Sequence, residues 1–144
     1  MNTQVDPKLL IVDGSLTRGP YKDIYIGNYD DNEVAVSAMR RSLSDLKDSD
    51  LKLKLWDHEL QMVALLSHHP RLPRFYGYCE ASVTFDGEPR LVLVNEYCSE
   101  GDLTQFIEDG RIFQLSLNEI VHLSIDIALA VDMLHSCGLI HGKE

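Results

Sequence analysis

The first part of the chain carries short apolar and alternating runs, which is the pattern of β-strands. The first run ends at Asp13-Gly14, a pair typical of turns, and a polar turn at residues 30–32 separates the second and third runs. Gly87, preceded by an aspartate, lies between the fourth and fifth runs and favours a hairpin there. The predicted strands are residues 9–12, 21–29, 33–39, 74–81 and 90–95.

Other parts of the chain follow the helical period. Residues 49–67 place most of their apolar side chains on one face, and a short helix is predicted to end at Glu108. Ser116 and Glu119 form a Ser-x-x-Glu capping box before a long amphipathic helix at residues 117–137. Strands with one helix among them, followed by helices alone, predict an α+β fold in which a helical layer follows a sheet.

Composition narrows the function classes. The chain has 144 residues, which suits one compact domain, and a formal net charge of −10. That charge argues against a nucleic-acid surface, which needs clustered Lys and Arg, but does not exclude a single nucleotide. No apolar run is long enough to span a membrane and no signal peptide is recognisable, so we expect a cytoplasmic protein.

Metal-binding chemistry is not indicated by the residue pattern. The three cysteines lack Cys-x-x-Cys spacing and are expected to be free thiols. His68 and His69 are adjacent and diverge on a helix, while the acidic cluster at residues 45–50 lacks calcium-loop spacing. We therefore expect no metal site.

Several short motifs follow one another in an order known from one family. Residues 17–24 resemble a glycine-rich phosphate loop of which Gly19 alone is kept, and residues 34–37, Val-Ala-Val-Ser, resemble a Val-Ala-Ile-Lys strand. Residues 91–97 resemble the strand that leads into a hinge, and residues 139–141 resemble the entry to a catalytic loop. Over nearly its whole length the chain resembles the protein-kinase superfamily.

This resemblance implies a fold and a division of the chain. It implies a five-stranded antiparallel sheet with one αC-type helix at residues 49–67, followed by helices of a truncated large lobe. Residues 1–97 are then expected to form the kinase-like small lobe. Residues 98–144 are expected to form the hinge and the first helices of an incomplete large lobe.

The lysine that kinases carry on the third strand is replaced by Ser37, and Lys22 stands where the third loop glycine is expected. A serine hydroxyl is neutral and short, so we expect Lys22 to neutralise the phosphates instead. With-no-lysine kinases are similar in placing this lysine in the loop, and strand three of protein O-mannose kinase is similar to Val-Ala-Val-Ser. Arg40 and Arg41 are alternative cations that we expect to face solvent, and an ordinary solvated Lys22 is the simpler interpretation.

The resemblance also implies how the remaining nucleotide contacts are made. Glu59 is expected to steady Lys22 from the αC-type helix. Thr17 replaces a loop glycine and Pro20 removes an N–H donor, so ATP binding is expected to be weak or lost. The other implied contacts are Gly19 and Ile24 in the loop, Ala35 over the adenine, Asn95 as gatekeeper, Glu96 and Cys98 in the hinge, and Asp102 for the ribose.

The catalytic loop departs from the kinase pattern. His141 and Lys143 occupy the first and last positions of the expected His-Arg-Asp. An ammonium group cannot accept a proton or orient a hydroxyl as a carboxylate does. No catalytic residue is therefore intact, and we expect no magnesium site because the chain contains no Asp-Phe-Gly.

Several functions remain open at this point. The chain is either an incomplete ATP-dependent phosphotransferase that is inactive by itself, a pseudokinase scaffold or regulatory binding module, or a truncated product without an independent role. The apolar face of the helix at residues 117–137 normally packs inside a large lobe. We expect self-association or a protein partner through that face.

Overall fold

The computed structural model describes residues 4–18, 22–40, 57, 69–83 and 87–138, without the side chains of residues 15–18. The chain divides into two compact units, Met1–Tyr97 and Cys98–Glu144. The helix predicted at residues 49–67 lies outside the described residues except for Asp57, which is helical.

Five strands form one sheet in the first unit, in the order β1-β2-β3-β5-β4, with every neighbouring pair antiparallel. This confirms the predicted antiparallel sheet. The strands are β1 (Leu10–Arg18), β2 (Lys22–Tyr29), β3 (Asn32–Met39), β4 (Phe75–Ala81) and β5 (Arg90–Glu96).

The first strand is longer than its sequence pattern predicts. The expected end at Asp13-Gly14 is wrong, because β1 continues to Arg18 with register shifts between Val12 and Gly14 and between Ser15 and Thr17. Each shift adds a residue on β1 opposite β2, as a β-bulge does. A glycine that marks a turn in the sequence is thus absorbed into a bulge within the strand.

The turn between β2 and β3 fixes the register of the strands that matter most for the site. Asp30 and Asp31 have φ angles of 48° and 66°, and Tyr29 pairs with Asn32 across the turn. Two positive φ angles match the right-handed twist of a hairpin, and Asp tolerates them better than most residues do. The Asn32 side-chain amide donates to the Asp30 carbonyl at 3.0 Å and holds the turn closed.

A cluster of fully buried residues lies on one face of the sheet, which we call the core face. Alternate residues of β3 and β5 point into it and are fully buried, as the period of two requires. Val5 joins this cluster from outside the sheet, because its amide donates to the Tyr78 carbonyl at 2.8 Å and holds the N-terminal segment against the edge of β4. The buried core residues are Val5, Val34, Val36, Ala38, Cys79, Val92 and Val94.

The second unit contains α1 (Leu103–Glu108) and α2 (Leu117–Ser136). Asp102 caps α1, and Ser116 and Glu119 form the predicted capping box of α2, with both hydrogen bonds present. Neither helix has a buried residue. Within the described part of the chain, no helix is both long and apolar enough to cross a membrane.

Candidate functional site

The second face of the sheet, opposite the core face, brings together four of the residues implied as nucleotide contacts. Ser37 pairs with Ile24 on β2 and with Leu93 on β5, while Ala35 pairs with Ile26 and with Asn95. Side chains of directly opposed residues lie on the same face of a sheet. Ile24, Ala35, Ser37 and Asn95 therefore share the second face, and all four are half-buried.

Lys22 belongs to the same face. It pairs with Met39, one pleat beyond the pair formed by Ile24 and Ser37. Diagonal neighbours on one face lie roughly 7–8 Å apart, which a lysine side chain spans. Lys22 is half-buried. The register therefore places a cation beside the position from which the strand-three lysine is missing.

Arg40, the alternative cation, forms an ion pair on the core face. Its Nε lies 3.6 Å from Oδ1 of Asp23, a buried carboxylate that neighbours Lys22 along β2 and so points to the core face. The Arg40 side chain is partly exposed, as expected, but its charge compensates a core carboxylate. The second face gains no cation from Arg40.

Asn95 places a hydrogen-bond acceptor without a partner on the second face. Its Oδ1 is buried and has no hydrogen-bond partner. A buried acceptor without a partner costs about 1–3 kcal/mol. The gatekeeper expectation concerned only the position of Asn95, and the structure adds a side-chain oxygen that can accept an N–H from a ligand.

The residues expected at the hinge already make local hydrogen bonds. The Glu96 amide donates to the Arg74 carbonyl at 2.7 Å, and Oε2 of Glu96 accepts from the Arg74 amide at 3.0 Å. The Cys98 carbonyl accepts from the Gly101 amide at 3.2 Å. Oδ1 of Asp102, the residue expected to bind the ribose, accepts from the Gln105 amide at 2.8 Å. One oxygen of this carboxylate therefore acts as a helix cap.

Cys79 contributes no reactive thiol. Burial in the core raises the pKa of Cys79 to about 11, and the negative charges of Asp6 and Glu80 act in the same direction. The thiol therefore stays protonated near neutral pH, and the protonated form is a poor nucleophile. Over the described ranges, no three His, Cys, Asp or Glu side chains lie together as metal ligands.

The phosphate loop and the catalytic loop lie largely outside the described residues. Thr17 is described through its backbone alone, which pairs with Ile24. Gly19, Pro20, Arg41, Glu59, His141 and Lys143 lie outside the described residues.

Met39 and Leu93 also lie on the second face and were missed from the sequence. They are 4% and 2% exposed and pair with Lys22 and Ser37 respectively. Counting in steps of two from Ser37 and Asn95 identifies both residues.

Residues 10–143 match the sequence profile of a family described as protein tyrosine and serine/threonine kinase. The chain belongs to the protein kinase family. The five-stranded antiparallel sheet followed by helices is the α+β arrangement of a kinase small lobe and the start of its large lobe, which confirms the fold expected from the motifs.

Similar proteins come from distant organisms. The chain is 28% identical to the serine/threonine/tyrosine-protein kinase HT1 of Arabidopsis thaliana over 94% of its own length and 33% of that protein. It is 26% identical to Wee1-like protein kinase 2 of Danio rerio over 85% of its length and 22% of that protein. It is 30% identical to human serine/threonine-protein kinase WNK2 over 78% of its length, and that match supports the resemblance to with-no-lysine kinases.

The chain thus spans a third or less of the length of these relatives, with 5% for WNK2. Family membership establishes the fold and the lineage.

Proposed function

We propose that this kinase chain binds a nucleoside triphosphate on the second face of its sheet and that Lys22 replaces the strand-three lysine. The observation that carries the proposal is the register of β2 against β3, which places Lys22 and Ser37 as diagonal neighbours on one face. ATP is the expected ligand, because the adenine and phosphate positions implied by the kinase motifs fall on Ala35, Asn95 and Lys22.

Charge supports Lys22 as the phosphate ligand. The chain has a formal net charge of −10, so a triphosphate is repelled unless a cation lies next to it. Ser37 is neutral, and Arg40, which follows β3, lies 3.6 Å from the Asp23 carboxylate on the core face. Affinity is proposed to be weak, because Thr17 and Pro20 replace loop positions from which backbone N–H groups approach phosphate.

We further propose that these residues bind nucleotide without transferring phosphate. Lys143 stands at the position of the catalytic aspartate, and an ammonium group neither accepts the hydroxyl proton nor orients the acceptor. Binding is accordingly not expected to depend on magnesium. The chain would act as a pseudokinase module whose nucleotide is a ligand and not a substrate.

Calorimetric titration with ATP, with and without magnesium, tests the proposal. Lys22→Ala is expected to weaken ATP binding by about 10- to 100-fold, because contacts between charged groups contribute about 1.5–3 kcal/mol. Lys8→Ala is the matched control, since Lys8 is an exposed cation of the same unit outside the second face. Equal affinity of Lys22→Ala and wild type would remove Lys22 from the site, and phosphate transfer to a protein substrate would refute the inactive state.

A second candidate function is a binding module that associates with its own copies. Along α2, exposed apolar residues recur every fourth position and form a continuous stripe. Exposed apolar stripes of this kind are typical of interaction surfaces. The members of this stripe are Leu117, Val121, Ile125 and Leu129, which are 77%, 46%, 48% and 43% exposed.

Sedimentation velocity tests this second function. The wild-type chain is expected to self-associate as its concentration rises, and Val121→Asn combined with Ile125→Asn is expected to keep it monomeric. Ile11→Asn is the control, because Ile11 is an exposed apolar residue on β1, away from α2 in the sequence. A monomeric wild type, or an equal effect of the control, contradicts the proposal.

A further inference from the structure

An ion pair that the kinase motifs do not include lies on the core face, directly behind the strand end that carries Lys22. Asp23 follows Lys22 on β2, pairs with the buried Ala38 of β3 and is itself 8% exposed. Nε of Arg40, which follows the end of β3, lies 3.6 Å from Oδ1 of Asp23. The ion pair therefore closes the open end of the hairpin formed by β2 and β3, beside the pair formed by Lys22 and Met39.

The Asp23 carboxylate depends on Arg40 for compensation of its charge. Its Oδ1 is buried and has no hydrogen-bond partner among the described residues. Removing one partner of a buried ion pair is costly, because the remaining charge has neither water nor a counter-charge beside it. The Asp23 side chain is 11% exposed and that of Arg40 46%, so water screens the pair in part. We expect the two strand ends to separate more often when either partner is lost.

A second arginine holds the main chain of Arg40. Arg90, the first residue of β5, is 6% exposed, and its Nη1 donates a hydrogen bond to the Arg40 carbonyl. The ladder between β3 and β5 ends at the pair formed by Ala38 and Val92. Arg40 lies two residues beyond Ala38, and Arg90 lies two residues before Val92, so this contact extends the connection between the strands. Arg40 is thus fixed through its main chain while its side chain contacts Asp23.

We propose that Asp23 and Arg40 are positioning residues for Lys22, a role that rests on the proposed nucleotide site. Lys22 is the first residue of β2, and strand ends open easily when few contacts hold them. Successive residues of a strand point to opposite faces, so an Asp23 side chain held on the core face directs the Lys22 side chain to the second face. The ion pair holds a cation on the nucleotide face without contacting the nucleotide.

Calorimetric titration of the full chain with ATP tests the proposal through the sign of two effects. Arg40→Ala is expected to weaken ATP binding by about 5-fold, because a site that is formed for about a fifth of the time binds correspondingly more weakly. Asp23→Ala is expected to weaken it by about 3-fold, although removing a negative charge would strengthen ATP binding if charge alone mattered. Opposite effects of the two variants, or wild-type affinity in both, overturn the positioning role.

Dependence on Lys22 separates positioning from a direct or general effect of Arg40. In the Lys22→Ala background, Arg40→Ala is expected to change ATP affinity by less than about 2-fold, because no lysine remains there to be positioned. NMR titration measures these weaker affinities. An equal loss in both backgrounds overturns the proposal, since Arg40 would then act on the nucleotide directly or on the fold as a whole.

Hydrogen exchange followed by NMR locates the structural change. Arg40→Ala is expected to raise the exchange rate at the strand ends around Lys22 and Met39. The centre of the same hairpin, around the pair formed by Tyr25 and Val36, is expected to stay protected. An increase along the whole hairpin would make the ion pair a general stabiliser of the sheet and overturn the proposal.

Charge controls come from exposed positions of the same unit. Asp31→Asn removes a carboxylate from the turn at the other end of the hairpin, where Asn tolerates the φ angle of 66°, and Lys8→Ala removes a cation that precedes β1. Both are expected to keep wild-type ATP affinity, and a loss as large as that of Arg40→Ala would attribute the effect to net charge and overturn the proposal. A wild-type chain that binds no ATP refutes the proposed function itself, whereas ATP binding that Asp23→Ala and Arg40→Ala leave unaltered overturns the positioning role alone.

Discussion

Moving the lysine from position 22 to position 37 is expected to restore the ATP binding that Lys22→Ala loses. Lys22 and Ser37 lie on the same face of adjacent strands. Lys22 pairs with Met39, and Ser37 lies two residues before Met39 along β3, so that Lys22 and Ser37 are diagonal neighbours. A lysine at either position therefore reaches the same space beside the second face. We expect the double variant Lys22→Ala with Ser37→Lys to bind ATP within about 3-fold of wild type, a difference of under about 1 kcal/mol.

The control for this experiment keeps both charge and face constant. Asn28 lies on the same face of β2 as Lys22, six residues away, which corresponds to about 20 Å along a strand. Lys22→Ala with Asn28→Lys is expected to bind ATP as poorly as Lys22→Ala alone. If both double variants recover ATP binding, the lysine acts through net charge, and if neither does, the second face does not hold the phosphates.

Most of the sheet could be predicted because local signals and tertiary packing agree there. The turn at Asp30 and Asp31 and the alternation in β3 and β5 each indicate one arrangement, and the structure adopts it. The extension of β1 past Gly14 could not be predicted, since a bulge depends on the partner strand and a turn signal looks the same in the sequence. Local propensity is overridden wherever the neighbouring strand supplies hydrogen bonds.

The candidate site was accessible from the sequence only in part. The period of two puts Ala35, Ser37 and Asn95 on one face once the strands are known, and Lys22 follows from the register. Pairing of Arg40 with Asp23 depends on contacts between strand ends that no motif encodes. The unpartnered oxygen of Asn95 is likewise a property of packing, because its partners can only be counted in three dimensions.

The N-terminal segment shows most clearly how packing can go unrecognised in a sequence. Met1 to Asp6 has neither a strand period nor an apolar run, and nothing in it predicts a core residue. Val5 nevertheless is 2% exposed and packs against the valines of β3 and β5. The hydrogen bond from its amide to the Tyr78 carbonyl and the β-bridge between Gln4 and Tyr78 place it there.

Val5→Ala is therefore expected to lower the free energy of unfolding by about 2 kcal/mol, because it removes buried methyl groups and leaves a cavity in the core. Ile11→Ala is the matched control, since Ile11 is an aliphatic residue of the same unit but is 61% exposed, and its effect is expected to stay below about 0.5 kcal/mol. Urea denaturation followed by circular dichroism measures both. Equal effects would mean that the N-terminal segment does not pack in solution, whereas the expected difference would show that Val5 packs in the core with the buried valines of β3 and β5.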